Sequence, residues 1–133
     1  MPKKYFTVER AQKQMPKIKK SLIKLQNLKK AIDAILSVEM DSREVEYEEI
    51  IETSTKLNKE YHKLSYDFHR EIENLEKIGC ILKDLGQGLV DFYCRFEGRD
   101  IFLCWGLGEG KIKAWHEIEE GFAGRHPIIG LEQ

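Results

Sequence analysis

The sequence predicts an α+β fold: a long N-terminal antiparallel helical hairpin, kinked near Pro16, followed by a three- to four-stranded antiparallel β-meander and a C-terminal covering loop. Three observations carry this. Two heptad seams of apolar residues fill the first eighty positions, and such sustained spacing is the signature of paired helices. The seams stop at Gly79, a natural helix C-cap. Beyond it the apolar period falls to two, with glycine at each expected reversal.

The first seam runs Ala11, Met15, Ile18, Leu22, Leu25, Ile32 and Leu36, with Lys29 as its one break. Thr7 precedes it as N-cap, and Glu9 lies in the first turn, where negative charge suits the helix dipole. Pro16 removes a backbone donor, so a kink or short break is expected near Gln12 to Met15. Asp41 or Ser42 is expected to cap the second helix, with Glu44 in its first turn. The second seam is Ile50, Leu57, Tyr61, Leu64, Phe68, Leu75 and Ile78, interrupted by Ser54 and Glu71. Two helices of this size make a hairpin about 45–55 Å long at 1.5 Å per residue.

The chain carries 34% charged and 41% apolar residues, with no run approaching a membrane span. One domain over residues 1–133 is expected, with the hairpin over 6–79 and the sheet and loop over 80–133. The N-terminus shows charge without an apolar stretch behind it, unlike a signal peptide. Cys80, Cys94 and Cys104 are odd in number and lack C-x-x-C spacing, which argues against a disulfide framework and a zinc knuckle. A cytoplasmic protein with reduced thiols follows. The formal net charge of −1 conceals ten Lys/Arg against two acids in residues 1–37, and twelve acids against five Lys/Arg in residues 39–76. The basic helix is therefore expected to lie along the acidic one, a better use of the charge than binding nucleic acid or an anionic membrane.

In the sheet, Val90, Phe92, Cys94 and Phe96 alternate with Leu89, Asp91, Tyr93 and Arg95. A two-residue type II′ turn at Gly98-Arg99 predicts the pairs Phe96/Ile101, Cys94/Leu103, Phe92/Trp105 and Val90/Leu107, all apolar. A second turn at Gly108-Glu109 predicts Trp105 opposite Ile112 and Leu103 opposite Ala114. Cys80 to Leu85 is the candidate fourth strand, with Gly86-Gln87-Gly88 as the bend. This register puts Asp91, Tyr93, Arg95, Phe102, Cys104, Lys113 and Trp115 on the face away from the helices, and sends His116 to the helix side.

That outer face has three competing uses: a homodimer interface, for which Tyr, Trp and Arg are enriched; a stacking platform for single-stranded nucleic acid; or one wall of a ligand pocket. Against all three stands simple cover by residues 117–133 folding back.

The strings F-T-V-E-R-A, L-K-D-L-G-Q-G-L-V-D-F, L-C-W-G-L-G-E, W-H-E and G-F-A-G-R-H-P resemble, in order and spacing, the prokaryotic family known as domain of unknown function 2203. The resemblance covers nearly the whole chain. It implies an architecture and a site, and no activity. The family pattern has Arg after the Cys-Trp pair and Pro after the Asp-Phe pair; Gly106 and Tyr93 stand in those places here.

Among the ionisable residues of these strings, Cys104, His116 and either Asp91 or Glu117 are ligand types for zinc or another divalent metal. The predicted register separates Cys104 from His116, so no cofactor is expected, and His116 is read as hydrogen-bonded to an acid of the second helix. A nucleophilic Cys104 with His116 as base meets the same geometric objection, besides lying mid-strand. Gly121 to Pro127 offers bare N–H groups and the guanidinium of Arg125, suited to a small anion held against Trp115. The competing reading is a plain turn with Arg125 bridging Asp84 or Asp91, and Asp84 and Glu109 as turn residues. The sequence thus favours a cytoplasmic binding or assembly module, a homodimer, with a ligand or partner site around Asp91, Arg95, Trp105, Trp115, His116 and Arg125. A metal-dependent enzyme using Cys104, His116 and carboxylates is the alternative, and single-stranded nucleic-acid binding the second.

Overall fold

The computed structural model describes residues 3–38, 46–129 and 131. Two long helices, α1 (Val8–Leu36) and α2 (Tyr47–Ile78), form the hairpin. A five-stranded antiparallel sheet follows in simple order: β1 (Ile81–Asp84), β2 (Leu89–Phe96), β3 (Arg99–Gly106), β4 (Ala114–Glu117) and β5 (His126–Pro127). A single 3₁₀ turn, Phe122–Gly124, joins the last two strands. No helix among the described residues is long and apolar enough to cross a membrane.

Local chemistry sets the helix ends. The Thr7 hydroxyl accepts the Arg10 N–H at 3.1 Å, satisfying one of the orphan donors of the first turn. Helix α1 then runs unbroken through Pro16, so the expected break is not there. Gly79 closes α2 with φ of 100°. A side chain there would be strained, and its Cβ would fall 2.9 Å from the Phe6 ring. The expected cap at Asp41 or Ser42, with Glu44 in the first turn, lies outside the described residues.

The first heptad seam supplies the helical side of the core. Ala11, Met15, Ile18, Leu22 and Leu25 are buried and meet Val90, Phe92, Ile101, Leu103 and Trp105 from the sheet. Glu71, a break in the second seam, is also buried. It accepts from the Ser21 hydroxyl at 2.6 Å and pairs with Lys24 at 3.2 Å. Burial pushes its carboxyl pKa upward, but the Ser21 hydrogen bond and Lys24 outweigh that and leave the pKa below the ordinary value. Here the basic helix does meet the acidic one.

The sheet register differs from expectation in two ways. The β2–β3 turn is Glu97-Gly98, with φ of 50° and 75°, the all-positive pattern of a type I′ turn. The pairs are therefore Phe96/Arg99, Cys94/Ile101, Phe92/Leu103 and Val90/Trp105. This slip of two residues leaves every side chain on its predicted face. The β3–β4 error is of the other kind. No two-residue turn forms at Gly108-Glu109; a loop runs from the end of β3 at Gly106 to Ala114. Within it, the Glu109 carboxylate accepts the Gly106 N–H at 2.7 Å and the Trp105 indole donates to the Gly110 carbonyl at 2.8 Å. Leu103 consequently pairs with Trp115, and Cys104 with Ala114. That one-residue shift exchanges the faces of β4: Trp115 turns to the helix side, and His116 joins Asp91 and Cys104.

Two further pieces complete the sheet. Tyr5 bridges Tyr93 in parallel, with the Phe6 N–H donating to the Tyr93 carbonyl at 2.8 Å. This extends the sheet edge beyond the end of β1. Residues expected only as a covering loop supply β5 on the far edge, where Trp115 pairs with His126.

Candidate metal centre

Asp91 on β2, Cys104 on β3 and His116 on β4 meet on three consecutive strands of the sheet. Asp91 pairs directly with Cys104, while His116 pairs with Phe102, one step along the same face of β3. One ligand-type atom from each lies within 4.8 Å of the other two. All three residues are buried, at 2%, 2% and 3% exposure.

The protonation of the cluster follows from donors and acceptors. His116 Nδ1 is 2.8 Å from the Glu117 carbonyl, which can only accept, so Nδ1 carries a hydrogen. His116 Nε2 faces Asp91 Oδ2 at 3.1 Å. A proton must lie between those two atoms, because a lone pair and a carboxylate would otherwise confront each other. Burial raises the Asp91 carboxyl pKa; the positive side of His116, the Cys104 thiol and Lys83 pull it back only in part. Burial, reinforced by the charge of Asp91, pushes the Cys104 thiol up to about 12. At neutral pH that thiol keeps its proton, unlike the depressed thiols of nucleophilic cysteines.

This cluster is costly as it stands. A group whose folded pKa is raised stabilises the fold fully below its unfolded pKa, and that contribution is lost as pH rises through the folded value. Asp91→Asn, which keeps a hydrogen-bonding partner for His116 without a charge, is therefore expected to melt higher than the parent in chelator at pH 7. The gain should shrink toward pH 4. Paired melting curves at the two pH values check this; a variant less stable at pH 7 than at pH 4, relative to the parent, would refute it.

The other sequence-predicted site residues are dispersed. Trp105 is on the helix side, 1% exposed, in the core. Trp115 donates to the Pro127 carbonyl at 3.0 Å and stacks near His126 and Phe96, with centroids 4.6 and 5.8 Å away. Arg95 lies at the rim, 3.3 Å from Asp100. Lys3 and the Tyr5 hydroxyl also reach Asp100, at 3.1 and 3.2 Å, so the aromatic and basic groups around Tyr93 converge on one carboxylate. Glu117 is held by the Arg99 guanidinium, at 2.8 Å from Nε, and turns away from the cluster. Arg125 bridges neither Asp84 nor Asp91. Its Nη2 donates to both Glu109 oxygens, at 2.9 and 2.7 Å, and to the Cys104 carbonyl at 3.4 Å. His116 meets Asp91 rather than an acid of α2. Asp84 and Glu109 do act as turn residues, each accepting a nearby backbone N–H.

Sequence reasoning named all three members of the cluster but not their convergence. It missed the Glu117 carbonyl as the group orienting His116, and Glu109 as the partner of Arg125. Neither contact leaves a pattern in the sequence, the first being to a backbone carbonyl and the second joining residues 16 positions apart.

A family model described as an uncharacterized conserved protein (DUF2203) matches residues 4–128. No curated protein matches the chain, and no solved structure does.

Proposed function

The chain belongs to the DUF2203 family, and from that premise we propose, on the site alone, that it binds one divalent transition-metal ion, of the zinc class, through Asp91, Cys104 and His116. The observation that carries the reading is the convergence of a sulfur, a nitrogen and an oxygen donor within 4.8 Å. Around a tetrahedral ion with bonds of about 2.0–2.3 Å, donors sit roughly 3.3–3.8 Å apart, so closing this cluster needs only a small shift. A thiolate, an imidazole and a carboxylate together suit zinc better than magnesium or calcium, which prefer oxygen alone.

Two features support it. His116 presents Nε2 inward while Nδ1–H is fixed on a backbone carbonyl, the outer arrangement that orients metal-binding histidines. Arg125 likewise ties down the carbonyl of Cys104. The buried carboxyl of Asp91, with its raised pKa, is costly without an ion and useful with one.

With three protein ligands the ion keeps a fourth position open. The near-complete burial of the cluster favours binding over turnover of a substrate. The sequence-based idea of an anion site at Arg125 has less behind it, because Glu109 already occupies Nη2 with both oxygens.

Equilibrium dialysis of untagged protein against zinc, followed by elemental analysis, tests the proposal. One ion per chain is expected, lost in Cys104→Ser and His116→Ala. Binding should strengthen as pH rises, since the ion displaces the thiol proton and the proton shared by His116 and Asp91. At free zinc a hundredfold above the dissociation constant, the fold should gain about 2.7 kcal/mol. A parent protein that takes up no ion, and melts identically in zinc and chelator, refutes the proposal.

A further inference from the structure

The helical hairpin is longer than the sheet it covers. Among the described residues, burial in α1 ends at Leu25, and in α2 it begins only at Glu71. Apolar side chains on the outer faces of both helices remain in water: Ile23, between the buried Leu22 and Leu25 of α1, is 52% exposed, and Ile51 and Tyr47 of α2 are 47% and 74% exposed. A helix that needed only to cover the sheet would be polar on its outer face.

The exposed apolar residues are flanked by opposite charges on the two helices. On α1, Lys20, Ile23, Lys24, Asn27, Leu28 and Ala31 line a shallow groove of about 450 Å³. Its floor is apolar, its two charged residues are lysines, and Ala31 leaves room for a neighbour. On α2, Tyr47 and Ile51 stand one turn apart and form a short ridge, with Glu48 and Glu52 alongside it at the same spacing. The groove is basic and the ridge acidic, echoing the charge bias of the helices that carry them.

We infer that the hairpin is the interface between two copies of this chain, the Tyr47/Ile51 ridge of each seating in the Ile23/Ala31 groove of the other. The arrangement is isologous: a two-fold axis makes both contacts at once, and neither surface is left over to propagate a filament. It joins two pairs of helices into a four-helix layer, in which the exposed Ile23, Tyr47 and Ile51 acquire cover. Lys20 meets the ridge glutamates across the axis, while Lys24 pairs with Glu71 of its own chain. The repulsion of like charges excludes the alternative that sets two basic grooves or two acidic ridges together. The contact does not involve the sheet, so it is independent of metal.

Sedimentation equilibrium of the full chain, in zinc and separately in chelator, tests this. A dimer at micromolar concentration is expected in both, with a dissociation constant that rises with salt. Ile51→Asp and Ile23→Asp, both at exposed positions, should each raise that constant at least about tenfold while the helical circular dichroism of the chain is kept. Lys20→Glu alone should weaken the dimer, and Lys20→Glu with Glu52→Lys should restore it. A monomer up to about a hundredfold higher concentration overturns the inference. So does a dimer that forms only with zinc, or one that neither aspartate variant moves.

Discussion

His116→Ala is expected to cost the metal-free fold about 3 kcal/mol and to abolish its response to zinc. The side chain is 4% exposed and lies 3.1 Å from an Asp91 carboxylate that is 2% exposed. Removing it leaves that carboxyl with the Cys104 thiol as its remaining close partner, a weak donor. The loss should fall at the lower end of the range for broken buried pairs, because burial already drives Asp91 toward its neutral form. The free Nδ1–H···O bond to the Glu117 carbonyl is lost as well. For a chain of this size the melting temperature should drop by roughly 10 °C. Asp91→Asn in the same background should recover much of it, since no charge then remains to be buried. Denaturant titration in chelator provides the check. A loss below 1 kcal/mol would show that the pair contributes little, and an undiminished zinc shift would remove His116 from the centre.

Trp105→Ala is expected to be at least as damaging, about 3–5 kcal/mol, for reasons unrelated to metal. The indole is 1% exposed at the middle of the core, between α1 and the sheet. Its Nε1 donates to the Gly110 carbonyl at 2.8 Å, and the Lys19 ammonium lies over its ring at 5.6 Å. Truncation opens a cavity among residues of two layers and unties the loop between β3 and β4. Trp105→Phe separates the two contributions. It keeps most of the volume and loses the hydrogen bond, so a cost of about 1 kcal/mol is expected. The phenylalanine variant should still bind zinc, because Trp105 and Cys104 point to opposite faces of β3. If Trp105→Ala proved nearly neutral, the helix side of the sheet would not be the core.

The hairpin was legible because its signals are local and redundant: seven apolar positions in each seam, a hydroxyl at Thr7, and a glycine where α2 must stop. The alternation in β2 and β3 was equally plain, so a misplaced turn cost only a shift of two, and both faces survived. Strand β4 has four residues, Ala114, Trp115, His116 and Glu117, and no clean alternation to fix its face. Its register is set instead by a loop closed through the Glu109 carboxylate and the Trp105 indole. Those are side-chain-to-backbone bonds, and no periodicity records them. The one-residue error there placed His116 on the wrong side and hid the candidate centre, though each of its residues had been singled out. The Tyr5 bridge to Tyr93 was invisible for a related reason: a single extended residue pairing with a strand eighty-eight positions away leaves no pattern in the chain. The family resemblance identified the strings without indicating which of their residues meet.

Cobalt substitution tests the central claim most directly. Cobalt(II) titrated into metal-free protein should give intense visible bands of a tetrahedral ion and a thiolate-to-cobalt charge-transfer band in the near ultraviolet. Both should saturate at one equivalent and disappear on adding zinc. Cys104→Ser should lose the charge-transfer band, while Cys80→Ser and Cys94→Ser keep it. Weak octahedral spectra that never saturate, or a charge-transfer band that survives in Cys104→Ser, would contradict a centre formed by Asp91, Cys104 and His116.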